Sequence, residues 1–175
     1  MSYTQPQRGA PPQARWLSLA DFEHAAQRVL PRPLMGYIAG AAEDNLSLKA
    51  SRDAFARWQF VPRVGVKVNE RSQGLRLFGI DYRAPFGIAP MGLAALSTYQ
   101  GDLVLARAAH AAGIPAILSG SSLTRMEAVV DAAPGTWFQA YLPGDAARIR
   151  ALLDRVQACG IQTLVVTLDL PVAGN

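Results

Sequence analysis

The sequence is poor in the residues that crosslink or bind metals: one cysteine, Cys159, and two histidines, His24 and His110. A single thiol forms no internal disulfide, and so few soft ligands leave no group with metal-site spacing. Cys159, beside Ile161 at the end of a helical pattern, is expected to be a buried and inert thiol. Charge is also sparse, at 17% of residues, and the net +4 is scattered rather than gathered into a block. That pattern argues against a nucleic-acid face and for a mildly basic, solvated surface. No apolar run is long enough to cross a bilayer, because the richest stretch, 103–118, is broken by Arg107, His110, Gly113 and Pro115. The N-terminus has no apolar core of the signal-peptide kind, and residues 1–15, rich in Pro, Gln and Gly, read as a disordered tail. These absences leave the cytoplasm as the default compartment, with membrane association at most peripheral.

Half of the residues are apolar, which suits a globular protein with a substantial core. Ser18 and Asp21 form a capping box ahead of Phe22, Ala25, Ala26 and Val29, and Pro31 and Pro33 end that helix. A turn of helix at 34–38 and a polar-faced helix over 43–58, capped by Asp44 or Asn45, complete a helical first third. A small hairpin follows, 75–78 against 82–84 around Gly79.

The rhythm then changes. Short apolar strands at 86–89, 115–118, 137–141 and 164–167 alternate with helices. The first helix covers 102–112 and stops at Gly113; the second is expected to carry a capping box of Thr124 and Glu127. Asp145 opens the third, which places Ile149, Leu152, Leu153 and Val156 on one face and ends at Gly160. Such alternation predicts parallel βαβ units, housed in either a doubly wound sheet or a (β/α)8 barrel. The phosphate loop of the doubly wound sheet is absent: after the first strand the chain reads Pro90-Met91-Gly92-Leu93-Ala94, not G-x-G-x-x-G. The expected fold is therefore α/β, the N-terminal half of a TIM (β/α)8 barrel over 16–175, preceded by helices and the hairpin. Four strands are half of a barrel that typically takes ~250 residues, so a partial chain is expected.

Barrel enzymes carry their chemistry at the C-terminal ends of the strands. Here those ends supply Pro90-Met91-Gly92, then Ser119-Gly120-Ser121-Ser122, then Gln139 and Tyr141, then Thr167 and Asp169. Members of each of the last two pairs are two apart and share a face. Each residue also has a plain structural explanation. Ser119 suits a turn, Gln139 suits a buried backbone contact, and Tyr141 suits a core edge. Thr167 is an ordinary strand residue, and Asp169 before Leu170-Pro171 suits a turn. Buried polar groups need partners, however, and a flat ligand with several acceptors across the strand tips would provide them. His24 and His110 sit on helices away from the tips and are read as packing or surface residues; Arg63, Lys67 and Arg71 are read as solvent-facing.

Five segments together resemble one family. They are Tyr37 to Asp44 (YIAGAAED), Ile88 to Gly92 (IAPMG), Leu118-Ser119, Trp137 to Tyr141 (WFQAY) and Thr167 to Pro171 (TLDLP). In this order they resemble the FMN-dependent 2-hydroxy-acid dehydrogenase and oxidase family, which includes glycolate oxidase, lactate dehydrogenase and mandelate dehydrogenase. The resemblance runs from about Leu17 to Asn175. It implies FMN as cofactor and a small 2-hydroxy acid, converted to a 2-oxo acid, as substrate. Ala89, Pro90, Met91 and Gly92 would pass their backbone along the isoalloxazine, and Ser119, Gln139 and Thr167 would hydrogen-bond its polar edge. Tyr37 and Tyr141 would bind substrate, and Tyr141 and Asp169 would be catalytic, Asp169 by orienting a histidine base. It also implies a homo-oligomer, a tetramer, for the full-length form.

Several of the family's residues have no counterpart here. An arginine would fall immediately past Asn175, and the lysine, histidine and phosphate-binding loops belong to the second half of the barrel. Ser121-Ser122 stand where several relatives carry an aromatic residue, so a roomier or differently lined pocket is expected and the substrate stays open. This chain alone is therefore expected to be inactive. The alternatives are a non-catalytic fragment and a different barrel enzyme with a phosphorylated substrate.

Overall fold

In the computed structural model, which describes residues 17–142 and 144–169, the first helix, α1 (Leu19–Val29), begins at its predicted signal. The Asp21 carboxylate accepts the backbone N–H groups of Leu17 and Ser18 at 2.7 and 2.8 Å. Those two bonds, Ser18's foremost, hold its pKa below the ordinary carboxylate value. The expected tail at 1–15 and residues 170–175 lie outside the described residues.

The chain divides into two compact units after Lys49. In the first, α1 is followed by α2 (Arg32–Ala39), a full helix of eight residues where a single turn at 34–38 was expected. Pro33 falls in its first turn, where a missing N–H costs nothing and the fixed φ favours helix. Helix α3 (Leu46–Phe55), which crosses the boundary, is shorter than the predicted 43–58. Glu43 and Asn45 have φ of 50° and 59°, which helix does not allow. Asn45 precedes the helix, but its side chain accepts the Ala41 N–H at 3.1 Å instead of capping α3. No residue of α1, α2 or α3 is buried.

In the second unit, β1 (Leu75–Leu77) and β2 (Ile80–Tyr82) pair antiparallel. The two residues between them, Phe78 and Gly79, both have positive φ, as a tight type I′ turn requires. The hairpin packs on Trp137: the Trp137 indole N–H donates to the Tyr82 hydroxyl at 3.0 Å, and the Phe78 and Tyr82 rings meet it edge-on.

The remaining strands are parallel, in the order β3 (Ile117–Ser119), β4 (Trp137–Ala140), β5 (Leu164–Val166). The strand expected at 86–89 is only a bridge between Ile88 and Ala116. Ile88 donates to the Pro115 carbonyl at 2.9 Å and accepts from Ile117 at 3.0 Å. The ladder stops there because the next donors would be Pro115 on one side and Pro90 on the other, and neither has an N–H.

Helices α4 (Gly101–Ala112), α5 (Met126–Ala132) and α6 (Ala146–Ala158) alternate with the strands. Leu118, Phe138 and Ala140 share a core with Leu103, Ala106 and Ala109 of α4, Met126 and Val129 of α5, and Val156 of α6. Alternation sends Ile117, Ser119, Trp137 and Gln139 to the opposite face. Asp145 caps α6 by accepting the Arg148 N–H at 2.9 Å. On α6 only Val156 is buried; Ile149 and Leu152 are half-buried and Leu153 is exposed. Cys159 is half-buried at the core margin rather than buried.

The capping box assigned to Thr124 and Glu127 does not form. Arg125 occupies the N-cap of α5 without a side-chain bond. The Thr124 hydroxyl donates to Asp102, and Glu127 instead takes a forked pair from Arg155 at 2.8 and 3.0 Å. Among the described residues no helix is long and apolar enough to cross a membrane.

Two tests follow from these contacts. Tyr82→Phe leaves the buried Trp137 N–H without its acceptor and is expected to cost about 1–3 kcal/mol in denaturant unfolding; an unchanged midpoint would refute the contact. The Arg155 hydrogen bond holds Glu127 at about 2, below its ordinary 4.5. A depressed carboxylate stabilises fully above its unfolded pKa and loses that effect as pH falls towards the folded value. The difference in Tm between wild type and Glu127→Gln is therefore expected to shrink as pH falls from about 5 to about 2. A constant difference would contradict the ion pair.

Candidate functional site

The tips of the three parallel strands are joined by one amide. Gln139, 3% exposed, lies opposite Ser119 in the register of β3 and β4. Its Oε1 accepts the Gly120 N–H at 3.1 Å and the Ser119 hydroxyl at 3.3 Å. Its Nε2 donates to the Thr167 hydroxyl at 2.8 Å. A backbone N–H can only donate, so the Gly120 bond fixes which end of the carboxamide faces which strand. Thr167 accepts from Gln139 and keeps its own proton for a further acceptor. The Thr167 N–H bonds the Ala140 carbonyl at 3.0 Å, which carries the pairing of β4 and β5 past the strand end.

The loop after β3 is folded tightly on itself. Ser119 Oγ accepts the Ser121 N–H at 3.1 Å, and the Ser119 carbonyl accepts the Ser122 N–H at 3.0 Å. A Cβ on Gly120 would lie 2.8 Å from the Gln139 carbonyl oxygen, so only glycine permits this approach. The loop that begins Ala89-Pro90-Met91-Gly92 is stitched to it, since the Leu93 N–H donates to the Ser121 carbonyl at 3.2 Å. Leu93 adopts φ 57°, a left-handed conformation unfavourable for a leucine and found here beside the candidate site.

Ser119, Gln139 and Thr167 thus form one network, and Ala89 to Gly92 lead into the loop tied to it. Tyr141 and Asp169 follow two residues beyond Gln139 and Thr167; both are exposed and, among the described residues, make no side-chain hydrogen bond. Tyr37 is exposed on α2 in the other unit. His24 and His110 are exposed on α1 and α4. The Gly120 donor and the Leu93–Ser121 stitch are invisible to sequence reading, because backbone groups leave no trace in residue identity. Asp102, which receives Thr124 at 3.0 Å, did leave a trace: a carboxylate opening an apolar helix.

Chemically, these tips offer a carboxamide of fixed polarity, a hydroxyl with an unengaged proton, and a tyrosine and a carboxylate open to solvent. They suit the edge of a flat, polar heterocycle. Among the described residues they include no histidine to take a proton.

Residues 26–175 match the family model described as FMN-dependent dehydrogenase. The chain is 38% identical to an L-lactate dehydrogenase of Caulobacter vibrioides over 158 residues, covering 90% of this chain and 41% of that protein. It is 34% identical to glycolate oxidase 3 of Oryza sativa over 159 residues, covering 90% of this chain and 43% of that protein. A crystal structure of mandelate oxidase superposes with a TM-score of 0.86 at 32% identity, covering 91% of this chain and 46% of that one. The chain therefore spans less than half the length of these relatives.

Gln139→Leu keeps the side chain's approximate volume but strands the Gly120 N–H and removes the donor to Thr167. The expected cost is about 1–3 kcal/mol in denaturant unfolding. A variant as stable as wild type would mean the amide is not holding the tips together.

Proposed function

The chain belongs to the FMN-dependent dehydrogenase family, and from that premise we propose that it forms one wall of an FMN-dependent 2-hydroxy-acid oxidoreductase. The wall is the N-terminal half of a TIM barrel, its parallel strands aimed at the ring. The observation that carries this reading is the Ser119–Gln139–Thr167 network at three adjacent strand tips.

The residues present fit an isoalloxazine. Its pyrimidine edge carries two carbonyl acceptors, and the Thr167 hydroxyl and the second N–H of Gln139 Nε2 are donors left over to meet them. Ala89, Pro90, Met91 and Gly92 would run their backbone along the ring, and Gly92 lets it come close. FMN, when bound, supplies the acceptor for the hydride equivalent leaving the hydroxyl-bearing carbon of the substrate. The protein's part is to bind and orient. Tyr37 and Tyr141 are the candidates to hold the substrate carboxylate, with Tyr141 also reaching the hydroxyl. Asp169 is the candidate to hold a histidine base in the tautomer that accepts the hydroxyl proton, and to stabilise it once charged. That base, the phosphate grip and a cationic partner for the substrate carboxylate would come from the second half of the barrel.

This chain alone is accordingly expected to turn over no 2-hydroxy acid. The test records visible spectra of the purified chain with FMN while 2-hydroxy acids are added without oxygen. No substrate-dependent bleaching is expected; bleaching in proportion to bound flavin would overturn the assignment of the base elsewhere. In a form that carries the remaining strands, Asp169→Asn should slow flavin reduction about 10²–10⁴-fold while leaving flavin bound. An unchanged reduction rate would remove the orienting role.

A further inference from the structure

We propose that Asp102 is a positioning residue for this site. Through Thr124 it holds loop 119–124 where Gly120 and Ser119 can fix the Gln139 carboxamide. The functional meaning rests on the flavin reading above; the mechanical claim does not.

The buried polar side chains among the described residues are Asp102, Ser119, Thr136 and Gln139, and Asp102 alone is charged. Burying a carboxylate is costly unless hydrogen bonds compensate. An aspartate in or just before a first turn gains from the helix dipole wherever it stands. Asp145 and Asp21 take that advantage without being buried. Asp102 is 6% exposed and takes a hydrogen bond from a residue 22 positions along the chain. Capping therefore does not explain its burial.

What Asp102 reaches is one end of the loop that grips Gln139. That loop has anchors at its start, middle and end. Ser119 and Gly120 donate to Gln139 Oε1, the Ser121 carbonyl receives the Leu93 N–H, and the Thr124 hydroxyl donates to Asp102 Oδ2. Between the anchors it is stiffened internally. Ser122 Oγ accepts the Thr124 N–H at 2.9 Å and donates to the Thr124 carbonyl at 3.2 Å, while the Ser122 N–H bonds Ser119. A displacement at Thr124 is thus passed through a hydrogen-bonded turn to the two donors that set the amide.

Asp102 also borders the other loop, since with Ala89 and Met91 it lines a cavity of about 20 Å³. Its helix begins in close backbone contact with that loop, because a Cβ on Gly101 would lie 2.5 Å from the Ala94 carbonyl oxygen. Asp102 therefore sits where one loop meets its helix and holds the other loop, the arrangement expected of a positioning residue.

The test is amide hydrogen exchange on the full chain, residue by residue, without ligand. Asp102→Ala and Thr124→Val are expected to speed exchange at Leu93, Gly120 and Ser121 about tenfold, with Trp137 and Phe138 in the strand ladder unchanged. Asp102→Asn keeps an acceptor and should restore most of the protection. The double variant should exchange no faster than either single one, since both remove one contact. Uniform acceleration at all these amides would mean a purely structural role and overturn the proposal, as would no acceleration in the near-isosteric Thr124→Val. Measuring FMN affinity of the same variants in a form that carries the remaining strands separates the two readings. Faster loop exchange with no change in flavin affinity would leave the positioning claim standing and count against the flavin assignment.

Discussion

The polar end of this structure depends on the direction of one buried amide. β4 is the middle strand, so only a side chain at its tip can touch both neighbours. Gln139 does so, and the Gly120 N–H decides its orientation because that group cannot accept. Every other polarity follows in order. Nε2 must face Thr167, Thr167 must accept, and the remaining Thr167 proton must go to something outside the network. The buried members of this network are engaged with one another, and a half-engaged buried network would be costly. The ligand side of the site is therefore set before any ligand arrives.

The same sheet face changes character along its length. At the N-terminal end, Ile117 and Trp137 are apolar, and the β1–β2 hairpin covers Trp137 with Phe78 and Tyr82. Two residues on, in the same register, stand Ser119 and Gln139. One end is sealed by aromatic packing and the other is lined with hydrogen-bonding groups. Left-handed backbone at Leu93 and Gln100 brackets the loop at the polar end, strain that tertiary contacts must hold. The Leu93–Ser121 stitch is one such contact.

Much of this could be read from residue identity, and the exceptions share a cause. Short apolar runs between helical periods marked β3, β4, β5 and their helices, because parallel strands bury both faces. The polar residues at their ends were visible for the same reason: Gln139 breaks an apolar run. What escaped was decided by contacts distant in sequence or by backbone groups. Thr124 looked like a cap but is claimed by Asp102, and Asn45 turns back to Ala41. Residues 86–89 have a strand's composition, yet Pro115 across from them cannot donate. Residues 59–68, to which the sequence assigns no element, form none: Phe60, Val64, Val66 and Val68 are exposed, and Pro62 interrupts their alternation. Alternation alone makes no strand without a neighbour to pair with.

Binding and proton transfer are physically separate demands, and on the proposed reading the described residues would serve the first. A ring edge can be held by a carboxamide and hydroxyls, which do not titrate near neutral pH. Oxidising a 2-hydroxy acid also requires a group that takes the hydroxyl proton, and the strand tips present a tyrosine and a carboxylate, both exposed, with no histidine among the described residues of these tips. In that same reading, Asp169 would orient a base brought by other strands. On the proposed reading, flavin recognition and catalysis are split between the two halves of the barrel. Changes at Gln139, Thr167 or Asp102 should then act first on how the ring is held, whereas a change at Asp169 should act on how fast it is reduced.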